Sequence, residues 1–231
     1  MDALPPPFSD WFARRGWRPR AHQLDLLALA QEERDALLVA PTGAGKTLAG
    51  FLPTLVDFAD GPPERRGLHT LYISPLKALA VDVARNLEAP VAGIGLGLRL
   101  ETRTGDTPAA RRQRQRRDPP DILMTTPEQL ALLLSHSDSA QLFAGLRRIV
   151  LDELHSLVIS KRGDLLALGL ARLRALAPGL IATGLSATVA DPGELASYLG
   201  PDTAIVTAAV GAAPDISILA TNERVPWAGH S

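Results

Sequence analysis

Seven apolar runs of strand length recur along the chain: Ala36 to Ala40, Thr70 to Ser74, Leu98 to Thr102, Ile122 to Thr125, Ile149 to Leu151, Ile181 to Leu185 and Ile205 to Thr207. Several are unbroken rather than alternating, which suits strands covered on both faces. The segments between them, among them Lys46 to Phe58, Ala80 to Leu87, Glu128 to Leu134 and Leu165 to Ala177, carry helical spacing. Repeated β-α order predicts an α/β fold, an open and mostly parallel sheet with helices on both faces and ligands at the carboxyl ends of its strands. Ala59 to Gly67 is rich in breakers and reads as a surface loop, and the basic run Arg111 to Arg117 is ended by Asp118-Pro119-Pro120. Beyond about Thr207 the pattern weakens. Asp215 to Leu219 has the composition of one more strand before the chain ends at WAGHS. The expectation is one domain over residues 1–207, followed by a linker, 208–231, that begins something absent.

With 231 residues, 46% of them hydrophobic, the chain accommodates one large domain and its core. It has no cysteine, and its five histidines (22, 69, 136, 155 and 230) show no metal-ligand spacing, which argues against zinc chemistry. The longest uncharged stretch, Ala175 to Ala190, is interrupted by Pro178, Gly179 and Gly184, so no membrane span is expected. The start lacks a basic n-region and an apolar h-region, which makes the cytoplasm the default location. Net charge is −1, so any nucleic-acid surface must be local. Of 24 basic residues only Lys46, Lys77 and Lys161 are lysine. A compact ammonium survives where a planar guanidinium does not fit, which directs attention to these three positions.

The run Ala36 to Ala40 leads directly into Pro41-Thr42-Gly43-Ala44-Gly45-Lys46-Thr47 and then a helical segment. That is the context a phosphate-binding loop requires. Glycines let the backbone approach an anion, the amides of Thr42 to Thr47 converge on it, Lys46 reaches terminal phosphates, and the Thr47 hydroxyl can ligate Mg²⁺. Ala40 stands where the general pattern has its first glycine. A nucleoside triphosphatase also needs a carboxylate for the metal and a base for water at the end of a neighbouring strand. Ile149-Val150-Leu151 is followed by Asp152 and Glu153, which fit those two roles. Taken alone, such a pair fits a helix N-cap and first-turn charge equally well.

The set APTGAGKT (40–47), LDELH (151–155) and LSAT (185–188) resembles motifs I, II and III of superfamily 2 DExH-box helicases, in which the alanine at position 40 is usual. The flanking segments SPLKALAVDVARNL (74–87), TRTGDTP (102–108), PPDILMTTPEQLALLL (119–134) and SKRGDLLALGLARL (160–173) look like the large helicase-related family. RGWRPRAHQ, DELH and WAGHS are similar to its bacterial ligase-associated DEXH-box members. The resemblance spans essentially the whole chain and implies a RecA-like fold, the first of two motor domains. It implies that Gln23, with Phe8 or Trp17 upstream, reads adenine. It also implies that His155, Ser186 and Thr188 couple nucleotide state to the partner domain. Pro75, Leu76 and Lys77, then Thr104, Gly105 and Asp106, then Thr125 to Glu128 would line a track for one strand, with Lys161 and Arg162 alongside. Each group follows an expected parallel strand, so all would emerge on one sheet edge and hold phosphates without reading bases.

The expected function is that of an ATP- and Mg²⁺-dependent DNA helicase or translocase domain. Its partners would be single-stranded DNA and a second RecA-like domain, with 3′-to-5′ polarity and a repair role implied only by the resemblance. A GTP switch would need Asn-Lys-x-Asp, and none of the three lysines has that setting. An RNA helicase, and a passive single-strand-binding module with a vestigial site, remain open.

Overall fold

A computed structural model describes residues 4–59, 61 and 67–208. Asp215 to Leu219 and WAGHS lie outside the described residues. Two helices, α1 (Pro6–Arg14) and α2 (Ala21–Gln31), precede β1 (Ala36–Val39) and α3 (Lys46–Ala59). Then come β2 (Thr70–Ile73), α4 (Lys77–Ile94), β3 (Leu100–Thr102), α5 (Ala109–Arg117), β4 (Ile122–Thr125), α6 (Pro127–Leu134) and α7 (Ser139–Phe143). The order closes with β5 (Arg148–Leu151), α8 (Leu154–Val158), α9 (Lys161–Leu176), β6 (Ile181–Ser186), α10 (Pro192–Leu199) and β7 (Ala204–Thr207).

The strands form one sheet in the order β3-β4-β2-β5-β6-β1-β7, and every pairing is parallel. The seven strands expected from the sequence are the seven observed, and the RecA-like expectation is met. Parallel crossovers are right-handed, so the direction of travel along the sheet decides the face each helix covers. Travel from β1 toward β3 puts α3 and α4 on one face, and the return toward β7 puts α6 to α10 on the other. The core divides accordingly. Leu37, Val39, Leu71, Ile73, Ile149 and Leu151 pack with α6 to α10, while Ala36, Leu38, Tyr72, Met124 and Val150 pack with α2 to α4. Successive residues of the five inner strands thus find packing partners on both sides, which is why several runs are unbroken, while the edge strands β3 and β7 are only partly buried.

Some boundaries differ from the sequence expectation. The helical spacing expected over Ala80 to Leu87 belongs to a longer helix, since α4 begins at Lys77, continues through Pro90 to Ile94 and ends at Gly95, whose φ is +83°. The amide of Leu96 donates to Val91 O at 3.0 Å, a left-handed cap that satisfies the last carbonyls. The run Arg111 to Arg117 is helix α5, and its arginines are largely tied down: Arg111 and Arg114 to Glu101, and Arg116 to Asp138. No helix of the described residues is long and apolar enough to cross a membrane.

Candidate functional site

Parallel pairing places the loop after β1, Asp152-Glu153 after β5, and the segment after β6 on one edge of the sheet. β6 lies between β1 and β5, so the loop and the acidic pair stand about two strand spacings apart, roughly 10 Å at the strand ends. Val39 is level with Ser186, and Leu151 with Gly184. Asp152 follows Leu151 and so takes the opposite side, the face covered by α3, whose first residues are Lys46 and Thr47.

In the loop, Gly43 and Gly45 have φ of +78° and +75°, a conformation a Cβ would strain. Thr42 and Gly43 are exposed, Ala44 is buried, and Gly45, Lys46 and Thr47 are half-buried at the mouth of α3. The Lys46 ammonium donates to Ala40 O (2.9 Å) and Pro41 O (3.3 Å), so it lies across the loop. A cavity of about 650 Å³ opens beside the first half of the loop, Pro41 to Ala44, bounded also by Arg20, His22, Asp25 and Thr207. That size suits a small cofactor.

Three residues at the start of α2 grip three consecutive loop carbonyls. Arg20 donates to Gly43 O (3.2 Å), His22 to Ala44 O (2.9 Å) and Gln23 to Gly45 O (3.4 Å). A carbonyl only accepts, so His22 carries its proton on Nε2. Gln23 Oε1 also accepts the Arg20 amide at 2.9 Å, and Gln23 is buried. Both ends of its amide are therefore bonded to backbone, so the residue expected to read adenine also holds the loop. Phe8 is fully buried in the core; Trp17 is exposed and packs edge-on against Trp11. Only Trp17 of that pair is at the surface.

Asp152 is 5% exposed, with Oδ1 accepting the Glu153 amide at 2.9 Å and Oδ2 accepting the Tyr72 hydroxyl at 2.5 Å. Burial and the neighbouring Asp152 charge push the Tyr72 phenol far above its ordinary pKa, so it stays a donor. Glu153 has φ +49°, a left-handed conformation that costs a residue with a Cβ about 1–2 kcal/mol. Such strain concentrates at functional sites. Its carboxylate lies 3.3 Å from His155 Nε2. His155 Nδ1 accepts the Ala187 amide (3.3 Å) and lies 3.2 Å from Ser186 Oγ. An amide only donates, so the proton sits on Nε2 and faces Glu153. The acidic pair and the segment after β6 are joined through one imidazole. Thr188 is exposed beyond it.

Mg²⁺ favours oxygen donors and few protein ligands, with water and phosphate completing its shell. The Thr47 hydroxyl and the Asp152 carboxylate fit that requirement. Among the described residues no three His, Cys, Asp or Glu side chains cluster as a metal site.

The segments expected to track a strand share the same edge, since β2, β4 and β3 end there in register. Lys77 Nζ is 3.0 Å from Asp106, joining two of these segments, and both side chains are exposed. Arg162 donates to Pro75 O (2.8 Å) and pairs with Glu128 (2.6 Å), joining its own segment to those of Pro75 and Glu128. Lys161 is exposed at the first turn of α9, as is Gly105 in its loop. Thr104 and Thr126 are buried, Thr104 accepting the Asp106 amide at 3.3 Å. Thr125 is a correction: it is fully buried, and its hydroxyl donates to Arg103 O at 2.7 Å. Its side chain fastens the loop after β3 and does not reach the surface. Tyr72, His22 and Arg20 are the residues that sequence reasoning missed. Tyr72 reads as one more apolar residue of a strand, and only strand pairing reveals that it faces Asp152.

The description DEAD/DEAH box helicase matches residues 20–195. Lhr helicase/uracil glycosylase of Escherichia coli (strain K12) is 43% identical, over 87% of this chain and 14% of that protein. ATP-dependent helicase Lhr-Core of Methanocaldococcus jannaschii is 36% identical, over 86% of this chain and 25% of that protein. Among solved structures, Mycobacterium smegmatis helicase Lhr bound to ssDNA and AMP-PNP superposes with a TM-score of 0.80 at 38% identity, over 88% of this chain and 27% of that one. The DUF1998 helicase MrfA bound to DNA and AMPPNP superposes with a TM-score of 0.78 at 28% identity, over 93% of this chain and 30% of that one. The chain therefore spans about a seventh to a quarter of the length of these two curated relatives. With a glycine-rich strand-to-helix loop, an acidic pair and a bridging histidine on one edge of a parallel sheet, this chain belongs to the DEAD/DEAH box helicase family and has Lhr helicases among its relatives.

Proposed function

We propose that this domain, residues 1–207, is the ATP-binding motor half of a DNA helicase or translocase that tracks one strand 3′ to 5′ in repair, in the cytoplasm. Residues 208–231 lead to a second RecA-like domain. The supporting observation is the His155 bridge. It ties the candidate base, Glu153, to the segment after β6, so a change at the nucleotide has a direct mechanical route out of the site. The ssDNA and AMP-PNP in the related Lhr structure favour DNA and ATP as the ligands here.

In this reading Lys46 and the amides of Thr42 to Thr47 neutralise the phosphates. Thr47 and Asp152 hold Mg²⁺, which supplies charge neutralisation for phosphoryl transfer. Glu153 takes the proton of the attacking water while the His155 Nε2–H orients its carboxylate. Lys77, Thr104, Gly105, Thr126, Lys161 and Arg162 hold strand phosphates, with Pro75 and Asp106 beside them on the track, so binding is largely independent of sequence. An arginine finger from the second domain is worth about 10³ to 10⁵ in rate, so these 231 residues alone bind ATP weakly and hydrolyse it very slowly.

Titration with fluorescent ATP and GTP analogues, with Lys46→Ala and Gln23→Ala alongside, tests the nucleotide half. ATP preference and loss of binding in Lys46→Ala are expected. Competing ssDNA against ssRNA, with and without ATP, tests the strand half. Equal affinity regardless of nucleotide would replace the motor with a passive binder.

A further inference from the structure

Tyr72 lies on β2, the neighbour of β5, and faces the α3 side of the sheet. Its ring stacks on Phe51 of α3, centroids 5.4 Å apart, and its hydroxyl meets Asp152 Oδ2. The same helix begins with Lys46 and Thr47. One buried aromatic thus touches both the helix that carries the phosphate-binding lysine and the carboxylate at the end of β5.

We propose that Tyr72 is a positioning residue for Asp152, fixing the carboxylate toward the Mg²⁺ that accompanies the nucleotide. This rests on the nucleotide reading of the site. The geometry leaves the carboxylate little freedom, because Oδ1 is held by the Glu153 amide and Oδ2 by Tyr72. Each oxygen keeps a second lone pair for a metal or its water. Residues that hold a metal ligand in place typically change metal affinity 10- to 100-fold when removed. Phe51 packing sets the ring position, so the hydroxyl is aimed by α3, and the two halves of the site are mechanically joined.

Tyr72→Phe keeps the ring and removes only the hydroxyl. Binding of N-methylanthraniloyl-ATP to the 231-residue chain is followed as free Mg²⁺ is titrated, and again in EDTA. The half-saturating Mg²⁺ rises at least about tenfold in Tyr72→Phe, while affinity in EDTA is unchanged, which a general loss of structure would not produce. Should the variant fail to fold, the wild type supplies the test. The chain has only two tyrosines, Tyr72 and Tyr198, so [¹³Cζ]tyrosine labelling yields two signals, assigned with Tyr198→Phe. The Tyr72 signal shifts with Mg²⁺ and nucleotide together but not with nucleotide in EDTA. A Mg²⁺ requirement identical in wild type and Tyr72→Phe, or a Tyr72 signal indifferent to Mg²⁺, overturns the assignment. Wild-type binding that Mg²⁺ does not tighten overturns instead the nucleotide reading beneath it.

Discussion

Acid sensitivity should originate far from the candidate site, at His69. This residue is buried just before β2, with Nδ1 2.8 Å from the Thr70 hydroxyl and Nε2 3.4 Å from Asp57. Asp57, engaged by Arg148 through two hydrogen bonds of 2.5 and 2.9 Å, favours an imidazolium, but burial outweighs it and the Arg148 charge opposes it. Burial dominates and brings the His69 pKa from 6.5 down to about 4. The folded protein takes up this proton only below about pH 4, the unfolded chain already near 6.5. Unfolding therefore binds a proton in that window, and stability is lost as pH falls through it. The gap corresponds to about 3 kcal/mol when complete, and to about 2 kcal/mol at pH 5. Urea unfolding of wild type and His69→Gln at pH 7.5 and pH 5 isolates the effect, since other titrating groups cancel in the difference. Wild type should lose about 2 kcal/mol more than the variant over that interval. Parallel pH profiles would show that the imidazole is not excluded from water as argued.

Gly45→Ala puts a Cβ at φ +75° and 3.0 Å from Gln23 Nε2, so it should lower stability by about 1–2 kcal/mol and weaken ATP-analogue binding, read by thermal melting and fluorescence titration. His155→Ala cuts the link between Glu153 and the segment after β6. Nucleotide affinity should persist, while DNA-stimulated ATP turnover of the whole motor drops at least about tenfold. Lys77 and Asp106 form an exposed pair of little value to stability. Asp106→Asn should therefore leave the melting temperature unchanged and tighten ssDNA binding by freeing the ammonium, whereas Lys77→Ala should loosen it and reduce the salt slope by about one.

The five inner strands were legible in the sequence because a strand buried on both faces is largely apolar, while the edge strands β3 and β7, only partly buried, were legible from their short apolar runs. The candidate phosphate-binding loop was legible because Gly43 and Gly45 occupy backbone conformations that a side chain would strain, and because Lys46 is one of only three lysines among 24 basic residues. The acidic pair was legible only as a candidate, since the same two residues serve as a helix cap elsewhere. Tertiary structure decided what those residues do to one another. Tyr72 and Asp152 are 80 residues apart, and His22 and Ala44 are 22 apart; no local pattern encodes either contact. Gln23 turned out to grip the loop, and Thr125 to be sealed inside, because hydrogen-bond partners are assigned by the packing of neighbouring strands and helices. Periodicity and composition register a residue's own preference for water or for a backbone shape. Which group satisfies a buried hydroxyl or carboxylate depends on strand order and crossover direction, and those are fixed only when the sheet is assembled.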